Sequence, residues 1–197
     1  MRKFLMVLTL SMSTASYAAT LHSGVYEELQ LAVSPAGDIT GYYSETMGQG
    51  VTRTCAFALA GKSGTSQEAE IRSWSSDVLP GHLTATDKGV ILRIPQGQTH
   101  DGCMNVMVPL IDEGLELQST RQTHWSSMME VSGERVYLSS SPDVATRRKA
   151  WIVQGDVVGV LKSQSGWTQI EYVSESGKST IGWVENSAIK PLTPPAP

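Results

Sequence analysis

From residue 20 to residue 129 the chain alternates apolar and polar positions in short runs, and no apolar stripe persists at helical spacing. Val90, Leu92 and Ile94 fall on one side of a strand with Arg93 on the other, and Leu115 and Leu117 alternate with Glu116 and Gln118 in the same way. Clusters of Gly, Pro and Asp separate the runs, as hairpin turns do. Residues 24–33 read as a strand, Ser34-Pro35-Ala36-Gly37-Asp38 as its turn, and residues 39–44 as the returning strand. A second pair, 53–61 and 69–74, flanks a polar loop at 62–67; a third, 81–86 and 90–94, flanks Asp87-Lys88-Gly89. One short helical turn is expected within 104–110, before Gly114. The pattern predicts about eight short antiparallel strands curled into a barrel or sandwich, an all-β fold.

Past a polar junction at 128–134 the runs become more compact. Arg135-Val136-Tyr137-Leu138, Ala150-Trp151-Ile152-Val153, residues 157–161, residues 170–173 and Gly182-Trp183-Val184 read as five short strands. Gly155-Asp156 and Ser165-Gly166 are hairpin chemistry, since Gly tolerates the positive φ that branched residues resist. Gly177-Lys178 splits the stretch from 170 to 183 into two strands, and Val158, Val160, Leu161, Ile170, Tyr172 and Ile181 supply a small apolar set. Pro194-Pro195-Ala196-Pro197 cannot join a central strand and reads as an extended tail.

Three features of this run carry a resemblance: the Gly-Asp turn at 155–156 before a Val-rich strand, the Gly166-Trp167 pair opening the next, and Gly182-Trp183-Val184 before a last short strand. With this spacing residues 131–193 resemble the bacterial Src-homology-3-like domain. The resemblance implies a small five-stranded barrel that docks cell-wall peptide or protein ligands on an aromatic-lined groove. Its candidate groove residues here are Tyr137, Trp151, Trp167, Tyr172 and Trp183. Trp167 and Trp183 stand at the family's framework positions, where a ring fills the core as readily as it touches a ligand. Tyr137 and Trp151 are flanked by polar or loop residues and are expected to be exposed.

The first nineteen residues differ from both halves. Arg2 and Lys3 precede an apolar run at 4–10, and a polar stretch then ends in Ser16-Tyr17-Ala18-Ala19, the form of a cleaved export signal. The apolar run is far short of the roughly 20 residues needed to cross a bilayer, so no membrane span is expected. The organisation read from sequence is a signal at 1–19, a β domain at 20–129, the Src-homology-3-like unit at 130–193 and a Pro-rich tail at 194–197, with a periplasmic location.

Composition and charge narrow the function. With 40% hydrophobic and 17% charged residues, a fibre or a long disordered tail is excluded, and 18 Gly with 9 Pro fit many short strands. Without the signal, 13 basic residues stand against 19 acidic ones, and the excess acid lies wholly before residue 130. No basic stripe exists to neutralise phosphates, so nucleic acid is not an expected partner. The acidic surface suits solubility or a basic protein partner. Arg147-Arg148-Lys149 is the one basic cluster, suited to solvation or to an acidic partner.

Cys55 and Cys103 are the only cysteines, and in an oxidising compartment they are expected to pair. His100-Asp101-Gly102-Cys103 offers the types needed for thiol chemistry, but a disulfide consumes the thiol. His22, His82, His100 and His124 lack metal-site spacing, there is no Gly-x-Ser-x-Gly elbow, and Glu27-Glu28 on one strand would point to opposite faces. No cofactor or metal is therefore expected, and an envelope hydrolase is the distant alternative. The leading expectation is a non-catalytic binding protein of the envelope that docks a protein or peptidoglycan peptide. The alternative is an immunity or inhibitor protein acting on a periplasmic toxin or cell-wall hydrolase, with the loops at 44–51 and 95–102 as its protrusions.

Overall fold

The computed structural model describes residues 19–64 and 67–195. The export signal read at 1–19 lies outside the described residues except for Ala19, as do the last two residues of the tail. Eight antiparallel strands form a closed barrel: β1 Gly24–Tyr26, β2 Leu29–Val33, β3 Asp38–Met47, β4 Arg53–Lys62, β5 Glu68–Trp74, β6 Val78–Ala85, β7 Gly89–Arg93 and β8 Leu115–Gln122. Each strand pairs with the next, and β8 returns to β1 to close the wall. The period-2 pattern determines which side chains turn inward: Leu29 and Leu31, Ile39 and Tyr43, Phe57 and Leu59, and Val90, Leu92 and Ile94 fill the interior. The connection from β7 to β8 carries three short 3-10 turns, at Gly97–Thr99, Cys103–Asn105 and Pro109–Asp112, in place of the single helical turn expected within 104–110. Val106, Met107 and Ile111 from this connection join the barrel core. Cys103 is bonded to Cys55 of β4 with an S–S distance of 2.02 Å, tying the connection to the wall.

Two elements depart from the sequence reading. The strand expected at 24–33 is a hairpin, turned at Glu27 and Glu28, with Tyr26 opposite Leu29. Glu27 takes a left-handed φ of 51°, and its carboxylate accepts the Gln118 N–H at 3.0 Å. No Gly, Asn or Pro marks this turn, so it had no local signature. The strand expected from 81 begins instead at Val78 and contains Pro80. Strand β7 pairs with β6 only from His82 onward, so Pro80 lies where a missing N–H breaks no ladder on that side.

The second half is a curled seven-stranded sheet, not five strands. Its members are β9 Ser127–Val131, β10 Arg135–Ser139, β11 Arg147–Val153, β12 Val157–Gln164, β13 Trp167–Val173, β14 Ser179–Glu185 and β15 Ile189–Pro191, in the order β11-β10-β14-β13-β12-β9-β15. The two added strands pair with each other, Ile189 opposite Val131. Strand β9 occupies part of the segment read as a polar junction; its Ser and Glu disguise Met128 and Val131, both fully buried. The concave side encloses Val131, Leu138, Ile152, Val158, Ile170, Val184 and Ile189.

The outer side of β9, β12 and β13 packs on the outside of the barrel. Ala32, Trp125, Met128, Val157 and Val173 form this third apolar cluster, with Val25 and Tyr42 against it. Trp125 is its centre, 1% exposed, and a Cβ built on Gly159 of β12 would fall 2.4 Å from the indole. The Trp125 Nε1–H donates to the Glu171 carboxylate at 2.8 Å, and the Trp125 carbonyl accepts the Ser23 hydroxyl at 2.7 Å. Arg121 of β8 reaches the same carboxylate at 2.6 Å, and Ser179 donates to it as well. Burial alone would raise the Glu171 pKa, but the hydrogen bonds from Ser179, Arg121 and Trp125 together hold it below the usual carboxylate range.

Candidate functional site

The end of the sheet farthest in strand order from the barrel carries the most concentrated surface chemistry. In β10, Leu138 lies in the core and Val136 packs against it; in β11, Ile152 is buried among them. Alternation therefore turns Tyr137 and Trp151, which are register partners, onto the outer face. Trp151 is 49% exposed. The Arg135 guanidinium lies 4.5 Å from the Trp151 ring centre, and that of Arg147 lies 4.6 Å from the Tyr137 ring centre. The result is a ladder of two rings and two planar cations. Neither guanidinium is in an ion pair among the described residues.

Local structure seats this ladder. The turn before β11 is held by the Asp143 carboxylate accepting the Ala145 N–H at 2.9 Å, and by the Thr146 hydroxyl donating to the Asp143 carbonyl at 2.7 Å. Arg147 follows directly, and a register shift between Tyr137 and Ser139 separates it from the Tyr137–Trp151 pair. Arg148 donates to the Ile181 carbonyl at 2.7 Å, while Lys149 is exposed. Beside Tyr137 lies a cavity of about 180 Å³ lined by Arg135, Tyr137, Val144, Arg147, Trp167 and Glu185. Trp167 and Glu185 face each other across β13 and β14.

The five aromatic residues expected to share one groove are thus divided. Tyr137 and Trp151 pair at this end of the sheet, and Trp167, from the middle strand β13, lines the cavity beside Tyr137. Trp183 is only 7% exposed, with the Lys162 ammonium 5.8 Å from its ring centre. Tyr172 packs on the concave core and borders a different feature, a cleft of about 410 Å³ between barrel and sheet. That cleft is lined by Glu27, Glu28, Asp156 and Glu175 with Tyr42 and Tyr172, and by no basic residue. Burial raises the Tyr42 and Tyr172 hydroxyl pKa values, and the carboxylate of Asp156 near both adds to it. Glu27 and Glu28, expected on opposite faces of one strand, both border this cleft because they form a turn.

Of the two loops expected to protrude, the first is built as an arm. Strand β2 pairs with β3 only through Tyr43, with one more backbone bond from Ser44 N–H to the Glu28 carbonyl, and β5 pairs with β4 only from Ala58, so among the described residues 45–47 and 53–57 pair only with each other. The tip exposes Met47 and Val51, the latter at 82%, and the disulfide at Cys55 fastens the arm's base. The second loop is folded over the barrel: His100 is buried, stacks on Phe57 at 4.7 Å, and lies 2.9 Å from the Ser73 hydroxyl and 3.3 Å from that of Ser75. Burial lowers its pKa, against the nearby carboxylates of Asp101 and Asp77. Its ring is fixed among serines, and the adjacent Cys103 has no free thiol.

Two positioning residues escaped the sequence reading. Arg135 reaches Trp151 only through the β10–β11 register, and Trp125 joins barrel and sheet from the segment before the junction at 128, where the pattern predicts no element. Compared with known proteins, the chain matches no family model, no curated protein and no solved structure.

Proposed function

We propose that the chain is an exported, non-catalytic binding protein of the bacterial envelope, in which residues 130–193 serve as a Src-homology-3-like docking module for a cell-wall peptide or a protein partner. The observation that carries this reading is the ladder on β10 and β11: two aromatic rings in register, each faced by a guanidinium that has no carboxylate partner among the described residues. An aromatic ring gives large contact area with little rotamer entropy to lose, and a planar guanidinium offers paired donors to an anionic group. The turns with Gly155 and Gly166 at positive φ fall where the family resemblance expects them, the Gly177 turn falls where turn chemistry expects it, and all three support the module. The disulfide and the export-type sequence at 1–19 support an oxidising location.

The test is capture. The protein, immobilised, is challenged with envelope extract and separately with purified peptidoglycan, and Tyr137→Ala and Trp151→Ala are each expected to lower capture at least tenfold without a matching loss of stability. Capture unchanged by both substitutions would move the binding face elsewhere. A second reading, an inhibitor of a periplasmic enzyme or an immunity protein, is favoured by the disulfide-fastened arm with its exposed Met47 and Val51. Val51→Asp is expected to abolish capture under that reading and to leave it intact under the first.

A further inference from the structure

We infer that the free edge of β11 accepts an extended, carboxylate-bearing segment of a partner protein as an added strand. This deepens the reading above and rests on the β10–β11 face being the binding face. Strand β11 is the last in the sheet order and pairs only with β10. The Val153 N–H donates to the Asp156 carboxylate at 2.8 Å, and the Val153 carbonyl accepts the Asp156 N–H at 3.1 Å. Both groups of Val153 are thus turned away from β10. Backbone direction alternates along a strand, and the register runs unbroken from Val153 opposite Arg135 to Trp151 opposite Tyr137. The N–H and C=O of Trp151 therefore face outward too, with no partner among the described residues. One incoming residue that exchanges both bonds with Trp151 fixes the position of a whole added strand.

Charge selects the occupant. Edge strands with exposed cations resist pairing with copies of themselves: a parallel second β11 would set 147–149 against the same cations, and an antiparallel one would set them against the apolar Trp151 and Val153. The other end of the edge has no such protection, because Trp151 and Val153 are exposed and apolar. An edge cationic at one end and apolar at the other fits a strand with carboxylates opposite 147–149 and branched or aromatic residues opposite 151–153. Arg135 and Arg147, stacked on the rings, add donors on the outer face where alternate side chains of such a strand project.

The experiment uses the disulfide-bonded chain from residue 20 and two synthetic probes, the acetylated and amidated heptapeptide Val-Thr-Val-Thr-Glu-Asp-Glu and its reverse. Binding is read by tryptophan fluorescence and by amide exchange. The expected result is saturable binding of one probe, with exchange at the Trp151 amide slowed at least tenfold. N-methylation of the probe residue that faces Trp151 is expected to weaken binding at least tenfold, as is the triple reversal R147E/R148E/K149E. Binding that survives N-methylation would show charge attraction without strand addition and overturn the inference. If neither probe binds while Trp151→Ala still lowers envelope capture, strand addition is overturned and the binding face stands. If Tyr137→Ala and Trp151→Ala both leave capture unchanged, the binding-face reading fails and takes the strand addition with it.

Discussion

Replacing Trp125 with Ala tests whether barrel and sheet depend on each other. The indole is 1% exposed between Gly159 and the barrel wall, and its N–H is one of three donors to Glu171. A buried indole removes about 200 Å² from water, which at about 25 cal/mol per Å² corresponds to about 5 kcal/mol. Core truncations of this kind cost about 3–5 kcal/mol, so the two routes agree. Trp125→Phe keeps most of the area but deprives the carboxylate of one donor, which costs about 1.5–3 kcal/mol. Since a whole domain is stable by only about 5–15 kcal/mol, Trp125→Ala should release the sheet, whose own core is small. Urea unfolding followed by far-UV circular dichroism measures the loss. Amide exchange locates it: Ile170 and Val184 should lose protection before Leu59 does. A loss below about 1 kcal/mol for the Ala variant would refute the packing argument. Equal losses for Ala and Phe would assign the effect to the hydrogen bond instead.

Other perturbations have equally definite outcomes. Cys103→Ser opens a loop of 48 residues and should cost the barrel about 4 kcal/mol by the chain-entropy estimate, with scanning calorimetry showing little change in the sheet. Gly159→Ala places a methyl against the Trp125 ring and should cost about 1–3 kcal/mol, relieved in the double variant with Trp125→Phe only if the smaller ring can shift. Because the Glu171 carboxyl is held below its usual value, its stabilising contribution is complete above about pH 4.3 and is lost as pH falls through the depressed value. Glu171→Gln should therefore lower stability at neutral pH and flatten the acid limb of the stability curve; an unchanged acid limb would assign that limb to other groups.

Legibility of the fold followed the locality of its causes. Strand β7 announced itself because Val90, Leu92 and Ile94 alternate with outward residues, and the turns at 34–38 and around Gly177 because their residues prefer those angles. The Glu27–Glu28 turn did not, since it is sustained by a bond from the distant Gln118 N–H. Strand β9 was hidden for a similar reason: its partners β12 and β15 lie far along the chain, and pairing with them, more than its own composition, makes it a strand. The candidate site was half legible. Tyr137 and Trp151 stood out as rings beside polar residues, but what separates them from Trp183 and Tyr172 is the curl of the sheet. The role of Arg135 needed the register, which no local pattern supplies.

The pairing of β9 with β15 imposes an order of events on a chain that emerges from its N-terminus. The barrel closes once β8 pairs with β1, and everything it needs precedes residue 123. The sheet has no such early completion, because its edge strand β15 ends at Pro191 and its partner β9 begins sixty-odd residues before. Until those last residues arrive, Val131 lacks Ile189, its partner across the edge and in the core, while the barrel beside it is already rigid. The barrel then acts as a template on which the sheet assembles late, and a chain stopped at residue 188 should show a folded barrel with an unprotected sheet by amide exchange. A few residues of β15, at the opposite edge of the sheet from Tyr137 and Trp151, thereby complete the core on which the surface bearing those rings rests.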